Sequence, residues 1–392
     1  MQFSKRISSL ESYPFAALEQ KIARLKAQGI DVIDFGVGDP REPTPEFIRE
    51  ATKKAVDDFA AAGYPSYVGL PEFRRAVGKW FERRFKVQLD PEKEITSSLG
   101  SKEAIFNFPL ACVEAGAVVI CPTPGYPPYA RGATFAGGQP YFVPLTAENN
   151  FLPDLQGIPA AVAQQAKILW LNYPNSPTGA LAPPEFYQQA VDFAAEFDLI
   201  LAADLAYSEI YFGEEPRSLL EFTRKRVIEF HSLSKRSCMT GYRVGFAVGD
   251  PEVVAAFQKV KTNIDSGTPN FIQAAVIEAL QDEEHVQQAR EGYRQKAEIM
   301  TKAFRALGLP SVVPPGTFYL WQRVPANYTA ESFAERLLEP RLAVAVTPGN
   351  LIADQPEEGE NPGQNFVRLA LVESWERIKL AAERLEGLKP DL

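Results

Sequence analysis

Two hydrophobic periods alternate along this chain. Ile48, Ala51, Ala55 and Phe59 recur at helical spacing, and Phe73, Val77, Trp80 and Phe81 repeat the pattern. Thr44-Pro45 precedes the first stretch, so Thr44 is expected to cap a helix whose first turn accepts Pro45. Short continuous apolar runs follow: Val118-Val119-Ile120, Ile168-Leu169-Trp170-Leu171, Leu199-Ile200-Leu201, Val227-Ile228 and Val244-Gly245-Phe246-Ala247. Runs without polar alternation suit strands buried on both faces of a mainly parallel sheet. Helical patterns separate several of them, which predicts an α/β layout with ligands at the strand ends. Beyond about residue 270 the character changes. Val286, Ala289, Tyr293, Met300 and Leu307 mark one face of a long amphipathic helix from Glu284 to Leu307. Phe318–Trp321, Val344–Val346 and Phe366–Leu369 read as strands. A polar loop with Pro356, Gly359, Pro362 and Gly363 lies before the last of these, and a final helix starts near Glu373. The pattern predicts a large domain over 46–270 and a smaller α+β domain built from 1–45 and 271–392.

The length of 392 residues suits two domains, and 45% apolar residues supply ample core. A net charge of -9 argues against a nucleic-acid partner. No apolar stretch reaches membrane-spanning length, and MQFSKRISSLESYPF lacks the apolar core of a secretion signal, so a cytoplasmic protein is expected. Cys112, Cys121 and Cys238 form no disulfide framework, and with only two histidines no Cys/His metal cluster is expected.

The chemistry concentrates in Ser232-Leu233-Ser234-Lys235-Arg236-Ser237-Cys238-Met239-Thr240-Gly241-Tyr242-Arg243. A nucleophilic lysine must be partly neutral, and the cations of Arg236 and Arg243 favour that. Hydroxyls together with arginine also suit a phosphate dianion. The plain alternative is a solvated basic loop. Gly100-Ser101-Lys102-Glu103-Ala104 offers backbone N–H groups at a helix start. Asp204-Leu205-Ala206-Tyr207 ends a predicted strand, where an aspartate is more often a turn residue. Arg368 lies inside an apolar strand, a costly place for an unpaired cation.

The lysine segment resembles the cofactor-lysine signature of the class I/II aminotransferases of fold type I, enzymes dependent on pyridoxal 5'-phosphate (PLP). The resemblance covers nearly the whole chain, in the family's order. It implies a mainly parallel seven-stranded sheet and a PLP Schiff base on Lys235, the catalytic group. It further implies that Ser101 and Lys102 hold the phosphate by backbone amides, and that Ser232, Ser234 and Arg243 surround it. Tyr126, in Thr123-Pro124-Gly125-Tyr126-Pro127, stacks on the pyridine; Asp204 pairs with the ring nitrogen, and Tyr207 bonds the ring oxygen O3'. Asn172-Tyr173-Pro174-Asn175-Ser176-Pro177-Thr178-Gly179 resembles the family's Asn-Pro-Thr-Gly turn, with Ser176 where the family has the asparagine that bonds O3'; Asn175 is a candidate to supply that bond. Arg368 matches the clamp on the substrate α-carboxylate, and Gly38, in Gly36-Val37-Gly38-Asp39-Pro40, brings an amide near it. Tyr64 matches a tyrosine that reaches the phosphate of a second subunit, which implies a homodimer with a shared active site.

The implied reaction moves an amino group between an amino acid and a 2-oxo acid, 2-oxoglutarate being the expected acceptor. Segments 206–212, 232–236, 263–267 and 285–286 resemble enzymes acting on LL-diaminopimelate or its N-succinyl derivative, in lysine biosynthesis. Aspartate, alanine and aromatic amino acids are alternative donors, and a PLP-dependent C–S lyase is an alternative reaction. Asp265 is a candidate for a distal ammonium and Arg41 for a distal carboxylate, against readings as a helix cap and a solvated charge.

Overall fold

The computed structural model describes residues 4, 7 and 16–388, and for 16 and 17 the backbone only. The opening stretch read above as lacking a secretion signal lies largely outside the described residues. The main sheet has seven strands: β2 (Ile95–Ser98), β3 (Val118–Thr123), β4 (Gln139–Pro144), β5 (Ala166–Leu171), β6 (Ile200–Asp204), β7 (Val227–Ser232) and β8 (Gly245–Gly249). Their order is β2-β8-β7-β6-β5-β3-β4. All neighbours are parallel except for β8, which runs antiparallel to both β2 and β7.

The unbroken apolar runs have a direct structural cause. Side chains alternate across a strand. Leu169 and Leu171 of β5 enter one core with Leu201 and Ala203 of β6, while Ile168 and Trp170 enter another with Ala202. Helices cover both faces, so neither set tolerates polar residues. The helix Pro71–Phe85 starts on Pro71, ends at Lys86 with a left-handed φ of 59°, and buries Phe73, Val77, Trp80 and Phe81. The helix Asn270–Gln281 adds Ile272, Ala275 and Val276 to the same core.

A separate core joins the two ends of the chain: Ile33 and Phe35 pack with Met300, Phe304, Leu320, Val367 and Leu369. There β1 (Ile33–Asp34) pairs in parallel with β10 (Val344–Ala345). The antiparallel sheet β11-β12-β9 consists of Thr347–Pro348, Phe366–Ala370 and Tyr319–Arg323. The long helix spans Glu284–Ala306 and buries Val286, Tyr293 and Met300; the final one spans Trp375–Leu385 after a Ser374 cap.

Thr44 does not cap the helix Glu46–Asp58, whose N-cap is Pro45 with no side-chain bond. Its hydroxyl donates instead to the Cys238 carbonyl at 2.6 Å, tying this segment to the lysine loop. Cys121 is buried as expected, whereas Cys112 is only half-buried. No helix among the described residues is long and apolar enough to cross a membrane.

Candidate active site

The carboxyl ends of the parallel strands converge on one place. Asn172 follows β5, Asp204 ends β6, and Ser232 ends β7 and caps the short helix Leu233–Arg236 that carries Lys235. Ser101 and Lys102 open the helix after β2, and Arg243 precedes the reversed strand β8. From the other core, β9 brings Tyr319, β12 brings Arg368, and the segment after β1 brings Gly38. These groups line a cavity of about 430 Å³ together with Tyr126, Ser176, Tyr207 and Ser234.

Lys235 donates to the Gly38 carbonyl and sits 5.6 Å from the Phe318 ring. Burial holds its amine below the ordinary lysine value, opposed by Tyr319 and Asp39 and assisted by Arg243. Asp204 is 4% exposed, and burial pushes its carboxyl up to about 6. Two donors restrain that rise: the Tyr129 hydroxyl at 2.8 Å and the Ala206 N–H at 3.2 Å. Among the described residues no Lys, Arg or His forms an ion pair with Asp204. Tyr207 and Tyr319 share a hydroxyl hydrogen bond of 3.0 Å. Arg368 donates to the Gly36 carbonyl at 2.8 Å and stacks 4.6 Å from the Tyr319 ring. Its Nε is buried without a partner, and among the described residues no carboxylate pairs with it.

Two glycines shape the walls. A side chain at Gly38 would place Cβ 1.9 Å from the Tyr319 hydroxyl, and one at Gly100 would meet the Arg243 guanidinium at 2.6 Å. A larger residue at Gly38 would force the Tyr319 ring to move, and at Gly100 it would displace the guanidinium and strain a backbone with φ of 82°.

This donor set fits PLP. A buried carboxylate without a cation suits a protonated pyridine nitrogen. Hydroxyls, helix-start amides and Arg243, held by the Thr240 carbonyl at 2.7 Å, suit a phosphate. A buried lysine suits a carbonyl carbon, and the orphaned Nε of Arg368 suits a carboxylate.

Of the residues singled out from sequence, Asn175 and Tyr64 do not line the cavity. Asn175 is fully buried, and its Oδ1 accepts from the N–H and hydroxyl of Thr178, while its Nδ2 is buried without a partner. Asn172 lines the cavity instead, accepting from the Ser176 N–H at 2.8 Å and donating to the Asp204 carbonyl at 2.8 Å. Tyr64 is 90% exposed. Asp265 is neither at the cavity nor a helix cap: it pairs with buried Lys261 at 2.8 Å and accepts from the Gly267 N–H. Arg41 is half-exposed and pairs with buried Glu373 at 2.5 Å.

Sequence reasoning missed Tyr129, Asn172 and Tyr319. Only Asn172 left a trace, at the end of an apolar run. A larger crevice of about 670 Å³ has Arg236, Ser237 and Cys238 in its wall, with Glu42, His285 and Lys296. There Lys296 pairs with Glu42 at 3.3 Å and His285 with Asp282.

Comparison with known proteins agrees with this geometry. The LL-diaminopimelate aminotransferase of Aquifex aeolicus is 49% identical over 99% of both chains. The enzyme of the same name from Halothermothrix orenii is 43% identical over 99% of this chain and 98% of its own. Among solved structures, a probable N-succinyldiaminopimelate aminotransferase from Thermus thermophilus superposes with a TM-score of 0.87 at 32% identity, covering 95% of this chain and 99% of that one. The family model for aminotransferase class I and II matches residues 30–385, and the chain belongs to that family.

Proposed function

We propose that this aminotransferase uses PLP to move the amino group of LL-diaminopimelate to 2-oxoglutarate, in lysine biosynthesis. The observation that supports it best is the unpaired set of Lys235, Asp204 and Arg368 around one cavity. The full-length 49% identity to an enzyme named for that substrate, against 32% to one named for the N-succinyl form, favours the free diamino acid.

When bound, PLP supplies an electron sink that makes the bond from Cα to hydrogen labile. Arg368 grips the α-carboxylate, assisted by the backbone amide at Gly38. Lys235 would take the proton from the substrate Cα and then return it as the conjugate acid; its lowered basicity suits that exchange. Asp204 would hold the ring nitrogen, Tyr207 and Ser176 the ring oxygen, and Tyr126 a ring face, while Ser101, Lys102, Ser232, Ser234 and Arg243 would hold the phosphate. Tyr64, exposed and outside its own chain's cavity, serves the cavity of a second copy, so the working unit is a homodimer. The enzyme is cytoplasmic. Its chain divides into a large domain, which includes the helix Asn270–Gln281, and a small domain from both ends.

The test is a single-turnover experiment: PLP-loaded protein is mixed with one amino acid and conversion to the pyridoxamine form is followed by absorbance. The expected result is fast conversion with LL-diaminopimelate and slow conversion with N-succinyl-LL-diaminopimelate, aspartate, alanine and phenylalanine. Preference for any other donor overturns the substrate. Pyruvate and ammonia from cystathionine, without an acceptor, overturn the reaction.

A further inference from the structure

Tyr129 belongs to no motif and does not line the cavity, yet it touches the chemistry through Asp204. It sits in the helix Pro128–Phe135 and is 1% exposed. Its ring stacks on Trp170, with centroids 4.8 Å apart and planes at 17°, and meets Tyr126 edge-on at 5.9 Å. These contacts fix the ring, and the hydroxyl falls 2.8 Å from Asp204 Oδ2. The other oxygen, Oδ1, accepts from the Ala206 N–H at 3.2 Å. Each carboxylate oxygen has two acceptor sites, so one donor on each leaves further acceptor capacity, and Asp204 lines the cavity.

A tyrosine hydroxyl surrounded by apolar rings has little to gain from burial unless it bonds. Packing alone would be served by phenylalanine, which has the same ring. The hydroxyl therefore answers to Asp204. Burial favours the neutral acid there, and both donors favour the carboxylate.

We infer that Tyr129 is a positioning residue: by donating to Asp204 Oδ2 it fixes the orientation of that carboxylate and favours its charged form toward the cofactor's ring nitrogen. The inference rests on the PLP reading above. Tyr129 touches neither substrate nor cofactor; it acts through Asp204.

Tyr129→Phe keeps the stacked ring and deletes one donor. Titration of PLP onto the cofactor-free protein should give a dissociation constant about tenfold weaker, the scale of one hydrogen bond to a charged group. The acid edge below which PLP is released should move to higher pH, because the carboxylate takes up its proton sooner. In an Asp204→Asn background the same substitution should change the constant little, since no carboxylate remains to be held. An unchanged constant in the single variant, or full additivity in the double variant, overturns the inference. As a check on the unsubstituted protein, nitrogen-15 resonance of ring-labelled PLP should show a protonated ring at pH 7; an unprotonated ring overturns the inference as well. An unsubstituted protein that binds no PLP would instead overturn the cofactor reading itself.

Discussion

Asp204 and Glu209 are two buried carboxylates in one stretch of chain, 4% and 3% exposed. Glu209 is surrounded by cations. Arg84 reaches it at 3.0 Å and Arg290 at 3.9 Å, and Arg290 lies 3.7 Å from the Tyr211 ring, with Arg84 at 5.4 Å. Asp204 has a tyrosine hydroxyl, a backbone N–H and no cation paired with it among the described residues. Burying a charge without a counter-charge costs several kcal/mol. Glu209 recovers that cost inside the chain, and joins the helices Pro71–Phe85 and Glu284–Ala306. Asp204 leaves it open, and a cationic ring nitrogen would close it. Lys235 and Arg368 follow the same logic, with lowered basicity in one and an orphaned Nε in the other. The contrast separates charge that holds the fold from charge that awaits a ligand.

The strongest way to break this contrast is at Lys235. Lys235→Ala should lower transamination by on the order of 10⁴-fold or more while the protein folds and still binds PLP. Retained turnover would remove Lys235 from the chemistry.

The two carboxylates should respond with opposite sign. Glu209→Gln should destabilise the protein by about 3 kcal/mol, through the loss of a buried ion pair. In the cofactor-free protein Asp204 keeps its proton up to about pH 6, against 3.8 as the ordinary value. The folded state thus binds more protons between those values, and stability falls as pH rises through that window. Asp204→Asn should therefore stabilise the cofactor-free protein by up to about 3 kcal/mol above pH 6, with the gain gone below pH 3.8. Denaturant unfolding at both pH values reads it. Equal losses for both variants would erase the distinction.

Arg368→Ala should cost about 100-fold in kcat/KM for the amino acid, the worth of a charge-assisted bidentate contact. Substrate amines without a carboxylate should show no such loss; a uniform loss would mark Arg368 as structural. The smallest effect belongs to Ser176→Asn. A longer donor at the ring oxygen favours its ionised form, so the pH-dependent absorbance transition of the PLP-loaded protein should fall by less than about one unit. Identical transitions would show that Ser176 has no part in setting it.

The buried strands were legible because burial on two faces leaves an uninterrupted apolar run. Two strands of the large sheet were not. The edge strand β4 is mostly half-exposed and reads Gln-Pro-Tyr-Phe-Val-Pro, while β2 reads Ile-Thr-Ser-Ser, and its hydroxyls hide its burial from any hydropathy pattern. The site divided in the same way. Lys235, Arg243 and Arg368 stand out in their local context, whereas Asp204 was read through the family resemblance. Tyr129 and Tyr319 become meaningful only through partners 75 and 112 positions away, Asp204 and Tyr207. No window on the sequence sees such a pair. Asn175 is harder to place from sequence: its carbonyl serves the turn, while its Nδ2 is buried without a partner.

The bond from Arg368 to the Gly36 carbonyl spans 332 positions, and β1 closes on β10 across a similar distance. A chain leaving the ribosome has every strand of the large sheet long before it has β12. The wall of the cavity built by the large sheet is therefore translated well before the strand that carries Arg368.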